Sequence, residues 1–530
     1  MARSVFRHIL KQRFGRMPSG FERTQYAESL SNYIQKKHLD DFEKILDETQ
    51  RPPKRVIIVG AGFAGLSAAY FLSQFEEIEI TMFEARDRVG GRVLSLDSFA
   101  NGRIIEAGAE LIGTNHSLWI KLARRFGLSL SAISQDDDYS GARLKQPIYL
   151  NGEILDDTTE KEIYDGMEFV FGEMNKDAEK IKHAYEPWLN EEAKAWDAIK
   201  LSDWLDAQVE KYTGDCDKKL LRDALEVEFA CNNAVPTNKQ SYLGNLSMVK
   251  GGGLDKYWDD SEIFRCANGN QALAQQLAKR ILAKKRKRVY DNNRIMLNNP
   301  VKKIEQKGNE VWVSDTWSNE HYVADFIILA IPPTTWKHID MKLPVKASDI
   351  QMGNAVKFLS KVRSRFWIDS HLAPSGYGDN VGMMWEGTDN QTLNTGQEIE
   401  LSVFAGGKNA DAALEAFERG AAQGYFTHEL GKIYRDYATN TYATRFEAWP
   451  AEQWTGAGYS FPSPGEVCTT LRTLNEPFND TLYFAGEHTC TAFFGYMEGG
   501  LQSGMRVAKK IMDAVTPPSQ NKVEQEVQVK

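Results

Sequence analysis

The chain has 530 residues, of which 42% are hydrophobic and 26% are charged. This composition is typical of a globular protein with a large core, and it excludes collagen-like and mainly disordered classes. The formal net charge of −9 argues against nucleic acid as the main partner, because phosphate binding needs a basic surface. The five cysteines are never spaced as CxxC, so neither a disulfide framework nor a zinc ribbon is predicted.

The N-terminal region differs in charge from the rest of the chain. The first sixteen residues carry four arginines and one lysine, no acidic residue, and apolar residues at helical spacing. Such a basic amphipathic helix is typical of a docking helix, a targeting segment or a removable pro-segment. We predict a helical extension over 1–50 and a disordered polar tail over 516–530. No membrane span is predicted, and we expect the protein to be cytoplasmic unless the basic helix directs it elsewhere.

A glycine-rich motif follows the first predicted strand. Residues 55–59 are mostly β-branched, and the run Gly60 to Gly65 (GAGFAG) comes directly after them, ahead of a helical segment. In this context the first glycine permits a tight turn, the second admits a pyrophosphate, and the third lets helix and strand pack closely. The helix N-terminus then faces the phosphates. The next strand, 78–83, ends on Glu84, where a carboxylate can bind ribose hydroxyls.

Further motifs follow along the chain in a recognisable order. They are EARDRVGGR at 84–92, PV at 300–301, AIPP at 330–333, Trp449, FAGEH at 484–488 and GYMEG at 495–499. With these motifs the chain resembles the flavin-containing amine oxidases, which include monoamine, polyamine and L-amino-acid oxidases. In that family the EAxxRxGGR pattern runs beside the FAD pyrophosphate.

The resemblance implies an α/β fold with interleaved domains. A Rossmann-like FAD-binding domain carries the GxGxxG motif, and a substrate-binding domain combines a mixed sheet with helices and a helical insert. Helical spacing at 117–130 and 176–230, and strand-like alternation at 297–331, agree with that order. The expected boundaries are 51–115, 255–345 and 446–515 for the FAD-binding domain, 116–254 for the helical insert and 346–445 for the substrate-binding domain.

The resemblance also implies noncovalent FAD and oxygen as the electron acceptor. Gly458 stands where monoamine oxidases carry the cysteine that is bonded to the flavin, and glycine cannot form that bond. No second GxGxxG is present for a nicotinamide cofactor. The expected cofactor-binding residues are Gly60, Gly62, Ala64, Gly65, Glu84, Ala85, Arg86, Gly91, Arg92, Ala109, Glu110, Leu111, Val301, Trp449, Gly486, Glu487 and Met497.

The reacting face is predicted from three residues. Lys357 resembles the family lysine that holds a water against flavin N5, and it is the expected catalytic residue. Tyr459 and Tyr496 fall on the two aromatic walls beside the substrate amine, where ring faces attract a cation by about 0.5–2 kcal/mol. The implied reaction is hydride transfer from the substrate Cα to flavin N5, hydrolysis of the imine, and reduction of oxygen to hydrogen peroxide. The histidines are scattered, and no metal is predicted.

The sequence observations point to different substrate classes. In venom-type L-amino-acid oxidases an arginine clamps the substrate carboxylate, and the matching position here is Leu111. The segment over 21–49 and the blocks ELIGTNHSLW (110–119) and NNAVP (232–236) nevertheless resemble bacterial L-amino-acid oxidases. We therefore predict an L-amino-acid oxidase that forms 2-oxo acids, ammonia and hydrogen peroxide. The replacement anchors considered are Arg143, Arg363 and Arg445.

Other functions stay open at this point. The main alternative is a monoamine or polyamine oxidase acting on primary or secondary amines. Amide-forming monooxygenases share the scaffold, and a flavin-binding assembly protein that has lost catalysis is a hypothesis of another class. The family resemblance also makes a homodimer or a larger homo-oligomer an expected assembly.

Overall fold

The computed structural model describes residues 54–134, 144–284, 293–317, 320–391 and 398–515. The predicted extension over 1–50 and the predicted tail over 516–530 lie outside these ranges. Within them, no helix is both long enough and apolar enough to cross a membrane.

The described strands, in chain order, are β1 (Lys54–Val59), β2 (Ile78–Phe83), β3 (Ser95–Leu96), β4 (Ile105–Glu106), β5 (Leu130–Ala132), β6 (Ile148–Leu150), β7 (Glu153–Ile154), β8 (Phe264–Cys266), β9 (Arg294–Met296), β10 (Val301–Lys307), β11 (Glu310–Asp315), β12 (His321–Ala324), β13 (Phe326–Leu329), β14 (Ala355–Val362), β15 (Gly376–Gly378), β16 (Gly382–Glu386), β17 (Ile399–Gly406), β18 (Thr441–Glu447) and β19 (Leu482–Phe484). The described α-helices are α1 (Phe63–Leu72), α2 (Ser117–Arg125), α3 (Asp157–Glu179), α4 (Ala193–Asp197), α5 (Leu201–Lys211), α6 (Lys218–Asn233), α7 (Tyr242–Gly252), α8 (Asp255–Asp260), α9 (Gln271–Ala283), α10 (Lys408–Glu418), α11 (Ala422–Ile433), α12 (Tyr437–Asn440), α13 (Arg472–Leu474) and α14 (Met497–Val515).

A five-stranded parallel sheet carries the glycine motif. Its strand order is β19-β13-β1-β2-β9, so it combines strands from distant parts of the sequence. The apolar run that contains β1 and α1 is a buried strand that turns into a helix, and every residue of α1 is buried. A strand buried on both faces reads as a continuous apolar run, which is the pattern of β1. The sheet confirms the predicted α/β class.

A seven-stranded mixed sheet is the second large sheet of the fold. Its order is β18-β14-β17-β16-β15-β6-β7, and all neighbours are antiparallel except β15 and β6. Strands β6 and β7 belong to the predicted insert over 116–254, yet they extend the sheet of the predicted 346–445 unit. The two predicted units therefore share one sheet, because β-pairing joins segments that are far apart in the sequence. The domain boundaries given above stay predictions.

The predicted helical region over 176–230 is divided in the structure. Helix α3 begins earlier, at Asp157, where the Asp156 side chain caps it by accepting from the Thr158 and Thr159 amides at 2.9 Å. The chain then leaves the helix after Glu179, and Pro187 begins a short 3-10 turn ahead of α4. Apolar spacing alone does not reveal such interruptions, because it continues through the turns.

Candidate active site

One cavity of about 290 Å³ lies among the glycine motif, β14, β17 and the start of α14. It brings together residues from every motif that the sequence singled out. All predicted cofactor-binding, catalytic and substrate-binding residues line it, except Gly65. Residues that the sequence did not predict also line it, among them Asn232, Glu262, Trp385, Phe404 and His488.

The glycine turn is shaped to bring a ligand against the backbone. Gly60 has a φ of +102°, and a Cβ there would lie 2.6 Å from the Ala330 carbonyl oxygen. Gly62 is different, because the nearest atom to a Cβ there would be the Gly91 Cα at 4.0 Å. It is the N-cap residue of α1 and has no side chain that could bond the first N–H groups of the helix, so a ligand can approach them.

Gly65 has the packing role expected of the third glycine. It does not line the cavity, and a Cβ at this position would lie 2.0 Å from the Gly60 carbonyl oxygen. The absence of a side chain therefore allows α1 to pack on the turn, and a role of Gly65 in binding the cofactor stays a prediction.

Glu84 closes the turn from the neighbouring strand. Its Oε2 accepts from the Ala61 amide at 2.8 Å and its Oε1 accepts from the Arg86 amide at 2.9 Å. A carboxylate has further acceptor sites beyond these two bonds, so a role in binding ribose stays a prediction. The Arg86 side chain pairs with Glu452 and donates to Thr455 Oγ1 at 2.7 Å.

Arg92 and Glu487 connect several segments of the cavity wall. Arg92 donates to the Gly458 carbonyl at 2.8 Å and to Glu487 Oε1 at 2.9 Å. Glu487 also accepts from Ser460 Oγ at 2.6 Å and from the Gly495 amide at 2.8 Å. Burial alone would raise the pKa of Glu487, but the charge of Arg92 and these bonds hold it below its usual value. This ionised carboxylate orders the wall on which both tyrosines lie.

His488 is a site residue that sequence reasoning left outside the predicted set. It is 1% exposed and lines the cavity, and neither ring nitrogen has a hydrogen-bond partner among the described residues. Burial lowers its pKa to about 4, so the ring is neutral at pH 7 and offers one donor and one acceptor. Buried polar atoms are normally satisfied, and the hydroxyl and phosphate groups of a dinucleotide fit this pair. The FAGEH motif was the available signal.

Lys357 lies on β14 at the opposite end of the site, where it is 4% exposed. Its Nζ donates to the Glu106 carbonyl at 2.7 Å and to Glu110 Oε2. Glu110 Oε1 in turn accepts from Arg265 Nε at 2.6 Å and from Trp385 Nε1 at 2.8 Å. The lysine is therefore paired, as a buried ammonium must be. No motif contains Arg265, which is 155 residues from Glu110.

The two predicted aromatic walls are held in place by different contacts. The Tyr459 hydroxyl donates to the Asn232 carbonyl at 2.8 Å, and its ring stacks on Phe404 with 6.5 Å between centroids. The Tyr496 ring meets His116 edge-on at 5.1 Å. Burial raises the pKa of both tyrosines well above the usual value, so both hydroxyls stay protonated. Glu262 lies within hydrogen-bonding reach of the Tyr496 hydroxyl.

Neither of the two considered carboxylate anchors that lie among the described residues is at this end of the cavity. Leu111 lines it, whereas Arg363 and Arg445 do not. Arg363 lies over the Tyr442 ring at 5.4 Å, and Arg445 pairs with Glu447. Arg143 is outside the described residues.

Comparison with known proteins decides the family. The profile of the family described as flavin containing amine oxidoreductase matches residues 63–512. The chain belongs to this family. Flavin-containing amine oxidase A of Equus caballus is 24% identical over 499 residues, which covers 87% of this chain and 85% of that protein. Flavin-containing amine oxidase B of Homo sapiens is 25% identical over 499 residues, with coverages of 87% and 86%.

Solved structures of amine oxidases share the fold. Wild-type putrescine oxidase bound to putrescine superposes with a TM-score of 0.69 at 21% identity, covering 87% of this chain and 99% of that chain. Cyclohexylamine oxidase from Brevibacterium oxydans gives 0.69 at 21% identity, with coverages of 88% and 100%.

As a flavin-containing amine oxidoreductase, the protein uses FAD as its cofactor, and the residues present fit a noncovalent complex. The glycine turn, the open helix N-terminus and the unsatisfied His488 ring supply the cradle. None of the five free cysteines lines the cavity. A Cβ at Gly458 would lie 2.5 Å from the Ala355 Cβ, so a larger residue would have to displace β14. Among the described residues no cluster of histidine, cysteine or carboxylate side chains could hold a metal ion.

Proposed function

We propose that the protein is an FAD-dependent oxidase of primary or secondary amines that uses oxygen as the electron acceptor. One observation carries the choice of amine. Glu262 lines the cavity beside the two tyrosines, whereas the arginines of the described cavity wall, Arg86 and Arg92, are paired with Glu452 and Glu487. A carboxylate beside aromatic faces attracts an ammonium group and repels the carboxylate of an amino acid.

The residues of the reacting end then have separable tasks. Tyr459 and Tyr496 present ring faces to the amine, and the buried setting favours its loss of a proton before reaction. Trp449 is fixed by donating from Nε1 to the Ala107 carbonyl at 3.1 Å. Bound FAD supplies the hydride acceptor. The protein contributes the orientation of the substrate Cα–H and the exclusion of water.

The L-amino-acid oxidase predicted from the sequence is the competing function. It requires a cation for the substrate carboxylate, preferably an arginine that binds with two parallel hydrogen bonds. Leu111 occupies the expected position. The relatives named above are amine, putrescine and cyclohexylamine oxidases, and they support the amine proposal.

Anaerobic bleaching of the flavin absorbance tests the proposal. The purified holoenzyme is mixed with pooled L-amino acids and, separately, with the corresponding decarboxylated amines. We expect bleaching by the amines and none by the amino acids. Bleaching by amino acids alone would overturn the proposal and restore the L-amino-acid oxidase, with Arg143→Ala as the first variant to examine. Bleaching by neither pool would contradict both functions.

A further inference from the structure

Four buried side chains form a continuous ionic chain that starts at the cavity wall. Lys357 donates to Glu110, and Glu110 accepts from Arg265 Nε at 2.6 Å. Arg265 pairs through Nη1 with Asp389, whose Oδ2 accepts from the Ser134 amide at 2.9 Å. The order of charges is positive, negative, positive, negative, so the chain is neutral as a whole.

All four side chains of this ionic chain are buried. Lys357, Glu110 and Arg265 are 4%, 6% and 3% exposed, and the Asp389 side chain is 5% exposed. Burial alone would raise the pKa of Glu110, but the charges of Lys357 and Arg265 hold it at about 2. Buried ion pairs cost desolvation energy, and removal of one partner leaves an uncompensated charge. A hydrophobic set of similar volume would be stable without this cost, so the arrangement calls for a functional reason.

The position of the chain supplies that reason. Lys357 and Glu110 line the cavity, whereas Arg265 and Asp389 lie behind them. Glu110 is held from two further sides, by Trp385 Nε1 at 2.8 Å and by Arg265. Its second oxygen is thereby aimed at Lys357. A fixed ammonium at a cavity wall is a preorganised electrostatic group of the kind that stabilises developing negative charge.

We propose that Glu110, held by Arg265 and Asp389, is a positioning residue that keeps the Lys357 ammonium charged and fixed for the reaction of reduced flavin with oxygen. In that reaction two electrons pass to oxygen, which becomes hydrogen peroxide by taking one proton from the reduced flavin and one from solvent. Negative charge develops on the oxygen before the protons arrive, and the ammonium stabilises it. The inference rests on the proposed function only in that oxygen reoxidises the bound FAD.

Other carboxylates face Lys357 from the elements around it. Burial raises the pKa of Glu106, on β4, to about 7, and that of Glu400, on β17, to about 8. Both feel the Lys357 charge. Glu447 is opposite Lys357 on β18, but its carboxylate pairs with Arg445. These groups titrate in the wild type as well, so the test compares the shapes of pH profiles between variants.

The experiment reduces the holoenzyme photochemically, mixes it with oxygen and records flavin reoxidation from about pH 6 to about pH 9. In Glu110→Gln the ammonium of Lys357 loses its counter-ion and faces Arg265, so it gives up its proton as the pH rises. We expect reoxidation to be at least about tenfold slower than wild type at the alkaline end and to recover toward the acidic end. Lys357→Met, which has no ammonium, is expected to be slow at every pH.

A matched variant separates this role from stability. Glu386 is also a buried carboxylate in an ion pair, since it accepts from Arg365 at 2.7 and 2.8 Å, but it does not line the cavity. Glu386→Gln is expected to keep the wild-type profile. The proposal is overturned if Glu110→Gln keeps the wild-type profile too, or if Glu386→Gln acquires the same alkaline loss.

One further measurement and one further variant complete the test. The flavin midpoint potential, measured without substrate, is expected to fall more steeply with pH in Glu110→Gln than in wild type. If that variant does not fold, Arg265→Lys weakens the support of Glu110, and we expect the same pH trend at smaller amplitude. An unchanged pH profile of Arg265→Lys would contradict the proposed role of the ionic chain. Because no amine is used, failure of the amine proposal leaves these outcomes intact.

Discussion

The two ends of the cavity are formed by residues that are brought together in different ways. At the phosphate end, β1, the turn at Gly60 and α1 follow one another within twenty residues. At the reacting end, Lys357 meets Glu110 and Glu110 meets Arg265 across 247 and 155 residues of sequence. The first end depends on local backbone geometry, whereas the second depends on sheet register and on buried charge. Substitutions at the two ends are therefore expected to change different properties of the protein.

The largest expected effect lies at the phosphate end. Gly62→Val places a side chain where only the Gly91 Cα lies within 4.0 Å, on the cavity wall. We expect FAD affinity to fall at least about a hundredfold, while the fold of the apo-protein is retained. Gly172→Ala, in α3 with no atom within 4 Å of its Cβ, is the control and should bind FAD normally. Equal flavin content in both variants, measured by absorbance, would break the comparison.

At the reacting end the aromatic walls are expected to contribute next. Tyr496→Leu removes a ring face but keeps an apolar side chain, and we expect kcat/KM for amines to fall about thirtyfold, or about 2 kcal/mol. Tyr459→Phe keeps its ring and loses only the hydroxyl, which donates to the Asn232 carbonyl at 2.8 Å and to the Cys231 carbonyl at 3.3 Å, so its loss should stay below about threefold. A larger loss in Tyr459→Phe than in Tyr496→Leu would contradict the role of the ring faces.

Glu262 sharpens the distinction between amine and amino-acid recognition. Glu262→Gln keeps the shape of the side chain and removes the charge, so we expect KM for amines to rise about tenfold, or about 1.4 kcal/mol, with little change in kcat. Since the repulsion of a carboxylate is also removed, turnover of amino acids should improve relative to amines. Steady-state kinetics on both classes of substrate measures the shift. An unchanged preference would remove Glu262 from substrate recognition.

The smallest expected effect concerns pH and the phosphate end. Burial lowers the pKa of His488 from its usual range to about 4. The unfolded chain therefore binds a proton at pH values where the folded chain does not. This contribution to stability is fully present above about pH 6.5 and is lost as the pH falls toward 4. In apo-protein, His488→Asn should show a shallower loss of thermal midpoint across that interval than wild type. Identical slopes would contradict the buried neutral ring.

The same contrast explains how much the sequence predicted. The GAGFAG turn and Glu84 were found because each glycine has a local reason, such as the close packing of α1 on the turn at Gly65. The family motifs also brought Lys357, Tyr459 and Tyr496 to one cavity. Arg265 and Asp389 were not found, because a partner in a buried ion pair has no sequence signature. Glu262 was missed for a similar reason, since an isolated carboxylate before β8 is indistinguishable from a surface residue.

Substrate class is where local information was least useful. The block that contains Glu110 and Leu111 suggested an L-amino-acid oxidase, with Glu110 expected to bind the cofactor. In the structure Glu110 is paired with Lys357 and Arg265, and the carboxylate beside the tyrosines is Glu262. The missing arginine at Leu111 was therefore the more informative observation for the proposed function.

The central claim is that the reacting end accepts an amine and that its described residues include no arginine to anchor a carboxylate. The most direct measurement is the rate of anaerobic flavin reduction by 2-phenylethylamine and by L-phenylalanine, which differ only in the carboxylate. We expect the amine to reduce the flavin at least about a hundredfold faster at equal concentration, because an unpaired carboxylate is costly in this setting. Equal rates, or faster reduction by the amino acid, would contradict the account.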